Sequence, residues 1–439
     1  PEISYRGFKP KGEVMSAESN ENINAEVMQV EPLNPPHRLL MAPGPVNVDP
    51  RVLSAMSQPT VGQFDPYMFK VMGEVQLMLR AIFKTTNKQT FVVDGTSRSA
   101  IEAAFVSVLA PGDKVLVCCA GRFGMLLKEI AQRCKAETHV IERPWGEVFS
   151  IDEIADAIRR IHPKLVATVH GDTSTTMLQP LEGLGEICHE NGALLFTDAT
   201  ASLAGNELKT DEWQIDIVTA GMQKCLGASS GMAPITISER AVAVMDERKS
   251  IEAGIADTSE EIQNNRINSN YFDLPQIIDY WGPRHLNHHT EATHLLYGVH
   301  EATRIIAEEG IDHVIERHRI NGLAMSTALL KMGLKLYGDQ QTRMNDVIGV
   351  VIPDGLHDTA IRSQLLEEFG VEIASSFGPL QGKIWRIGVM AWNARKDAVL
   401  TAASALGTVL NQNGAKLDIQ KGIDAASAIY AQSEKESKA

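Results

Sequence analysis

The sequence predicts an α/β fold: a mostly parallel, doubly wound sheet with helices on both faces, followed by a smaller C-terminal α+β domain. Two observations carry this. From Thr90 onward, short apolar runs alternate with longer stretches of helical period, the βαβα order that lays helices over both faces of one sheet. After residue 309 the order changes to a long helix, two strands and another helix, which suits a second, mixed domain. With 439 residues, and roughly 150 per domain as a guide, two or three domains are expected, and two is preferred because α/β sheets run long.

Residues 1–39 hold few large apolar side chains and many Glu, Asn, Ser and Pro, ending in Pro32, Pro35 and Pro36. Too little can be buried there to offset the entropy of ordering, so a flexible arm is expected. It has neither the apolar centre of a signal peptide nor the Arg-rich, acid-poor character of a transit peptide. The large domain is placed at 40–309. Within it the apolar runs read as strands at Thr90–Asp94, Lys114–Cys119, His139–Glu142, Leu165–His170, Ala193–Thr197, Ile215–Ala220 and Pro234–Ser238. The longer periodic stretches between them read as helices at Ser97–Leu109, Gly124–Cys134, Ile151–Ile161 and Leu181–His189, with a further helix at Ala292–Glu308. The small domain, 310–420, is expected to hold helices Ile311–Met332 and Lys396–Asn411 and strands near Val347–Ile352 and Trp385–Val389. Residues 421–439 are polar and charged and are expected to fray.

The composition narrows the function. There are 41 basic and 55 acidic side chains, a formal charge of −14, which argues against a nucleic-acid footprint or a basic membrane-surface protein. No uncharged apolar run reaches the length of about 20 residues that a membrane helix needs. The five cysteines are odd in number and show no Cys-x-x-Cys spacing, so a cytoplasmic protein without structural zinc is expected.

Chemistry is sought where polar residues interrupt strand ends, because ligands of such sheets bind at the carboxyl ends of the strands. Ala193-Leu-Leu-Phe-Thr-Asp198 ends a buried strand on a carboxylate, which must find a cationic or hydrogen-bonding partner. Ile215-Asp-Ile-Val-Thr-Ala-Gly-Met-Gln-Lys224 ends the next on a lysine, where desolvation can lower its pKa as imine chemistry requires. Asp94-Gly-Thr-Ser-Arg98 joins a strand to a helix, so Gly95, Thr96, Ser97 and Arg98 can cradle a phosphate on free backbone amides. Each element alone has an ordinary structural reading: helix cap, solvated lysine, turn carboxylate. Together they make the kit for pyridoxal 5'-phosphate, with Lys224 forming the Schiff base and Asp198 holding the ring nitrogen protonated.

These landmarks resemble the class V, fold-type I aminotransferases of the alanine/serine–glyoxylate group. The resemblance runs from Leu40-Met-Ala-Pro-Gly-Pro45 through Asp94-Gly-Thr-Ser-Arg98, Pro111-Gly-Asp113, His170-Gly-Asp-Thr-Ser-Thr175, Leu178-Gln-Pro180 and Asp198-Ala-Thr-Ala-Ser202 to Gly221-Met-Gln-Lys224, His288-His-Thr290 and Trp385-Arg-Ile-Gly388. It implies that Phe123 stacks on the cofactor ring, that Thr173 lies near its phenolic oxygen, and that Gln223 and Thr290 are phosphate ligands. Thr290 would come from the partner subunit of a homodimer with shared active sites. Arg386 would clamp the substrate carboxylate, a bidentate task suited to guanidinium. Several relatives have Ser-Gly-His where this chain has Thr96-Ser-Arg98, which leaves the backbone cup but changes its side chains.

Two further departures bear on substrate. Gln63 stands near a Gly-His of many relatives, and Asn287 where they commonly have Tyr. Each carboxamide offers a donor and an acceptor, a match for a ureido group. The pairing resembles the ureidoglycine–glyoxylate aminotransferases of bacterial purine catabolism and implies transfer of the amino group of (S)-ureidoglycine to glyoxylate. Alanine– or serine–glyoxylate transamination, a lyase on the same cofactor, and a catalytically silent relative are the alternatives. The retained Lys224 and Asp198 speak against the last. Gln63 and Asn287 could also merely buttress a loop. His285-Leu-Asn-His288-His289 invites a metal reading, but no acidic third ligand has suitable spacing, so no metal is expected. Gly183-Leu-Gly185 lacks the third glycine of a dinucleotide fingerprint and is expected inside a helix.

Overall fold

The computed structural model describes residues 30–252, 255 and 266–436, so most of the arm expected at 1–39 lies outside the described residues. From Arg38 onward the chain is one compact unit. Its centre is a seven-stranded sheet of β1 (Gln89–Gly95), β2 (Lys114–Cys119), β3 (Glu137–Glu142), β4 (Leu165–Val169), β5 (Leu194–Asp198), β6 (Ile217–Thr219) and β7 (Gly231–Ile237). The strands lie in the order β1-β7-β6-β5-β4-β2-β3. Every pair is parallel except those of β7, which runs antiparallel to both β1 and β6. Phe91, Val92, Val93, Leu195 and Phe196 are almost wholly buried, as near-continuous apolar strands must be when helices cover both faces.

Helices α1 (Pro50–Met56) and α2 (Pro66–Phe83) precede β1 and were not among the expected elements. Both carry a start signal: Asp49 and Asp65 accept from the amides of Arg51 and Tyr67, and a proline opens each first turn. The crossover helices are α3 (Ser97–Val108), α4 (Arg122–Arg133), α5 (Ile151–Ile161) and α6 (Leu184–Glu190). A capping box of Ser150 and Glu153 fixes the start of α5. Helix α6 begins later than expected because Gly183 has φ +82°, a left-handed conformation that helical backbone cannot contain. Gly183 therefore caps the helix, and Gly185 lies in its first turn. Helices α7 (Glu239–Asp246), α8 (Leu274–Trp281) and α9 (Thr293–Glu309) complete this layer.

A second apolar core gathers around Trp385, Leu329, Leu406 and Val409. It is built from α10 (Ile311–Met332), β8 (Val347–Val351), α11 (Asp358–Phe369), β9 (Ala374–Ser375), β10 (Ile384–Gly388) and α12 (Lys396–Gln412). The three strands are antiparallel in the order β8-β10-β9. Leu39–Leu40 pairs with Val371–Glu372, and Met41 is buried in this second core. The expectation of a frayed tail is overturned: Ile419–Glu436 is a helix, α13. Gly422 lets it lie against α10, since a Cβ there would stand 2.4 Å from Met332 Cγ. Ala426 and Tyr430 continue the inward stripe, and Tyr430 donates to Asn321 Oδ1 at 2.8 Å. The five cysteines are free thiols. No helix among the described residues is long and apolar enough to cross a membrane.

Candidate active site

The carboxyl ends of β1, β4, β5 and β6 turn into the segments that carry most of the residues singled out in the sequence. Register makes this convergence close: Asp198 at the end of β5 pairs with Val169 of β4 and Thr219 of β6. Above these ends lies a cavity of about 180 Å³ lined in part by Thr96, Ser97, Arg98, Phe123, Thr173, Asp198, Gln223 and Lys224.

One wall is the turn after β1. Gly95 has φ +119°, which swings the chain from strand into helix α3, and Thr96 at the cap makes no side-chain bond to the first-turn amides. The Ser99 amide closes back on Thr96 O at 2.7 Å, while the Ser97 and Arg98 amides at the helix start remain for an anion, favoured there by the helix dipole. Gln223 Nε2 donates to Ser97 Oγ at 3.0 Å, joining the lysine segment to the cup. A Cβ on Gly221 would stand 2.3 Å from Ser97 Oγ, so this approach requires glycine.

Lys224 and Asp198 form the floor. The Lys224 amine donates to the Pro43 carbonyl, and no carboxylate within salt-bridge distance of it is found among the described residues. A Cβ on Gly44 would fall 2.7 Å from Lys224 Nζ, so the Pro43-Gly44 backbone shapes the space around the amine. Burial, and then the positive field of Arg386, lower the Lys224 pKa to about 8. Asp198 is 3% exposed and accepts from the Thr200 amide at 2.9 Å. Burial pushes its pKa up to about 6, against the stabilising bond from the Thr200 amide. A cation placed against this carboxylate would restore its charge.

Behind Thr173 a further group of side chains joins the two cores; Asp172, Phe377 and Arg386 belong to it and are not among the residues that line the cavity. Asp172 accepts from Ser174 and, at 3.1 Å, from the Phe123 amide, which fixes the start of α4 and the Phe123 ring at the cavity. Arg386, 5% exposed on β10, donates from Nε to Ser375 O at 2.8 Å and from Nη1 to Thr173 O at 3.0 Å. Its guanidinium carbon lies 4.7 Å from the Phe377 ring centre, and that of Arg122 lies 4.8 Å from the same ring. Nη2 of Arg386 has no protein acceptor among the described residues, so a buried cation has a donor free for an incoming carboxylate.

Gln63, Asn287 and Thr290 stand apart: none lines this cavity. Gln63 Nε2 donates to Asn287 Oδ1 at 2.8 Å, so the two amides are brought together from distant parts of the chain. Asn287 and Thr290 are exposed and Gln63 half-buried. His285 stacks on Phe69 of α2 with ring centres 3.8 Å apart and holds the Asn287 segment against α2. His289 has two acidic neighbours, Asp94 at 3.3 Å and Glu291 at 4.0 Å, so the premise that no acid could join the histidine run fails in three dimensions.

The cavity fits a flat, phosphorylated, cationic-ring ligand with an aldehyde: an amide cup, an aromatic face, a buried carboxylate and an amine that no described carboxylate pairs. The buried Thr200 Oγ1, which has no hydrogen-bond partner, adds a hydroxyl toward such a ligand. Sequence reasoning missed Thr200, Asp172, Pro43 and Phe377. Asp172 and Thr200 stood inside motifs already noted, beside Thr173 and Asp198. Phe377 and Pro43 carried no chemical signal.

The aminotransferase class-V family model matches residues 53–384. The chain is 48% identical over 398 residues to (S)-ureidoglycine–glyoxylate transaminase of Bacillus subtilis, covering 90% of this chain and 96% of that one. It is 33% identical to alanine–glyoxylate aminotransferase of Rattus norvegicus over 87% of this chain and 89% of that one. The crystal structure of ureidoglycine–glyoxylate aminotransferase from Bacillus subtilis superimposes with a TM-score of 0.87 at 47% identity, covering 91% of this chain and all of that one. Alanine–glyoxylate aminotransferase from Nostoc sp. gives 0.83 at 38% identity, covering 90% of this chain and all of that one.

Proposed function

We propose a function on one premise: the chain belongs to the aminotransferase class-V family and is an aminotransferase. It moves the amino group of (S)-ureidoglycine to glyoxylate, yielding the ureido 2-oxo acid and glycine, with pyridoxal 5'-phosphate as cofactor, the rule for this family. The observation that carries the choice of donor is the Gln63–Asn287 pair. Two carboxamides side by side present the donors and acceptors that a ureido group needs, and that the methyl of alanine would leave unpaired. The similarity to the Bacillus subtilis transaminase supports the same donor.

When bound, the cofactor supplies an electron sink that lets the Cα proton of an amino acid leave. The chain does the rest. Helix α3 amides, with Ser97, Thr96 and Gln223, would hold its phosphate, Phe123 would lie against its ring, and Asp198 would meet the ring nitrogen and favour its protonated form. Lys224, with a pKa near 8, has a substantial free-base fraction at neutral pH and can act as both nucleophile and base. Its Nζ is placed to take the Cα proton of the donor and to carry it as the ammonium. Thr173 contributes its hydroxyl at the cavity wall, and Arg386 holds the carboxylate that donor and glyoxylate share.

Asn287 and Thr290 serve the site of a second copy in a homodimer, a reading supported by their place away from their own chain's cavity, with Gln63 bonded to Asn287 beside them. The five free thiols suit a reducing cytoplasm. The test is a panel of amino donors with glyoxylate as acceptor, ureidoglycine being generated in place from allantoate because it decays in water. A higher kcat/KM for ureidoglycine than for serine or alanine is expected. A preference for alanine or serine would remove the donor assignment and keep the aminotransferase.

A further inference from the structure

Asp94 at the end of β1, His289 and Glu291 meet in a cluster that the proposed transamination does not use. His289 Nε2 lies 3.3 Å from Asp94 Oδ2 and 4.0 Å from Glu291 Oε2. One ligand atom from each of the three lies within 4.8 Å of the others. The side chains of Asp94, His289 and Glu291 are 12%, 11% and 0% exposed. Two carboxyl groups thus share a desolvated space, and the ion pairs of both among the described residues are with His289 alone. Coulomb repulsion is weakly screened there, so a proton or a cation must intervene.

The unpartnered atoms separate this cluster from an ordinary acidic patch. Glu291, 4% exposed as a residue, keeps an Oε1 with no hydrogen-bond partner, and His289 Nε2 has none either. Buried polar atoms are seldom left so, and the ones that are ask for a missing ligand. The other ring nitrogen of His289, Nδ1, lies 2.7 Å from His288 Nδ1. With the proton on His289 Nδ1, that bond turns the Nε2 lone pair into the cluster, the tautomer that metal-bound imidazoles adopt. Tyr280 donates its hydroxyl to Glu291 Oε2 at 3.3 Å and steadies the carboxylate.

We propose that Asp94, His289 and Glu291 form a binding site for one divalent cation of the zinc class. Zinc bonds of about 2.1 Å to nitrogen and carboxylate oxygen imply ligand-to-ligand edges of about 3.4 Å in a tetrahedron. The Asp94–His289 edge, 3.3 Å, already has that length, and the His289–Glu291 edge, 4.0 Å, has only to shorten slightly. One imidazole with two carboxylates favours zinc over magnesium, which prefers oxygen and water. The consequence is positional. Asp94 precedes the phosphate cup at Gly95, and Thr290 lies between the ligands His289 and Glu291, so the cation pins the Thr290 segment to the end of β1.

The test uses the holoenzyme, freed of metal with a chelator and equilibrated by dialysis against buffered zinc, with bound metal counted by mass spectrometry. One zinc per chain is expected. His289→Gln and Glu291→Gln should each weaken binding by at least about 100-fold, more than loss of a supporting hydrogen bond typically costs. His285→Gln should leave binding unchanged. Zinc should also raise the melting temperature of the wild type and of the His285 variant, but not of the Glu291 variant. Should Glu291→Gln not fold, His289→Gln alone decides. Wild type that takes up no stoichiometric zinc would assign the cluster to a shared proton and overturn the proposal. Zinc retained by both ligand variants would overturn it equally.

Discussion

Arg386→Ala should separate substrate binding from cofactor binding. The guanidinium is 5% exposed, and its hydrogen bonds go to two backbone carbonyls, Ser375 and Thr173, with Phe377 against its face. Burial lowers its pKa to about 10, which leaves it a cation at neutral pH. An incoming carboxylate therefore meets a desolvated charge already paired with neutral groups. Removing one partner of such a pair costs about 2–5 kcal/mol. At about 1.4 kcal/mol per decade this weakens glyoxylate binding by roughly 30- to 4,000-fold. The substitution also leaves two carbonyls without donors, so a loss of stability of roughly 1–3 kcal/mol for each buried carbonyl will accompany it. Arg386→Lys keeps the charge but cannot span both carbonyls, and an intermediate loss is expected. The assay is steady-state kinetics on the holoenzyme, with KM measured separately for glyoxylate and for the amino donor, and cofactor content read by absorbance. Both KM values should rise together while bound cofactor stays constant. An Arg386→Ala enzyme whose KM for glyoxylate moves less than threefold would place the carboxylate clamp elsewhere.

Lys224→Ala should abolish turnover together with the visible absorbance of covalently held cofactor, and retained transamination would reassign the lysine. In cofactor-free protein the depressed pKa, about 8, makes Lys224 free base above that pH and ammonium below it, so reductive methylation at Lys224 should rise with pH and level off near 9. A rate still climbing at pH 10, followed by peptide mass spectrometry, would show an ordinary lysine. Co-expression of Lys224→Ala chains with an Asn287→Ala, Thr290→Ala double variant should restore part of the lost activity, because a mixed dimer holds one intact site. Mixed dimers that form and stay inactive would give each chain its own complete site. Replacing Gln63 with His and Asn287 with Tyr should lower kcat/KM for ureidoglycine by orders of magnitude more than for serine or alanine, and equal losses for all three donors would make the amides part of the scaffold.

Much of the fold was legible because its elements announce themselves at both ends. Lys114–Cys119, Ile151–Ile161 and Ile311–Met332 lie where the apolar pattern puts them, to the residue. Helix α13 escaped because Gly422, Ala426 and Tyr430 form an inward stripe with little apolar bulk. Close packing on α10 holds that helix, and a hydropathy pattern does not register close packing. At the site, Asp198 and Lys224 were visible as anomalies: charges at the ends of buried strands demand an explanation. Thr200 and Asp172 were not, because they act through local bonds, Thr200 donating its amide to the Asp198 carboxylate and Asp172 accepting from Ser174 and the Phe123 amide. The acidic neighbours of the histidine run were hidden for a related reason. Spacing along the chain says nothing of Asp94, which only the sheet brings beside His289.

The same contacts tie Arg386, the proposed carboxylate clamp of the smaller core, to the loop beside Lys224 of the larger. Arg386 Nη1 bonds Thr173 O, and Ser376 Oγ donates to Ser174 O at 2.6 Å, so strand β10 and its neighbour grip the loop after β4. That loop carries Asp172, which holds the amide of Phe123. Clamp, loop and aromatic face are therefore one connected unit, with Lys224 facing it from the end of β6. Transamination needs the donor's reactive bond held in a constant relation to Lys224 Nζ, and a misplacement of about 1 Å can cost roughly 100-fold in rate. A clamp bonded to the loop that sets the ring face transmits that relation through two hydrogen bonds rather than through the whole domain joint. Loosening Ser376 should thus disturb kcat while sparing the affinity that Arg386 itself provides.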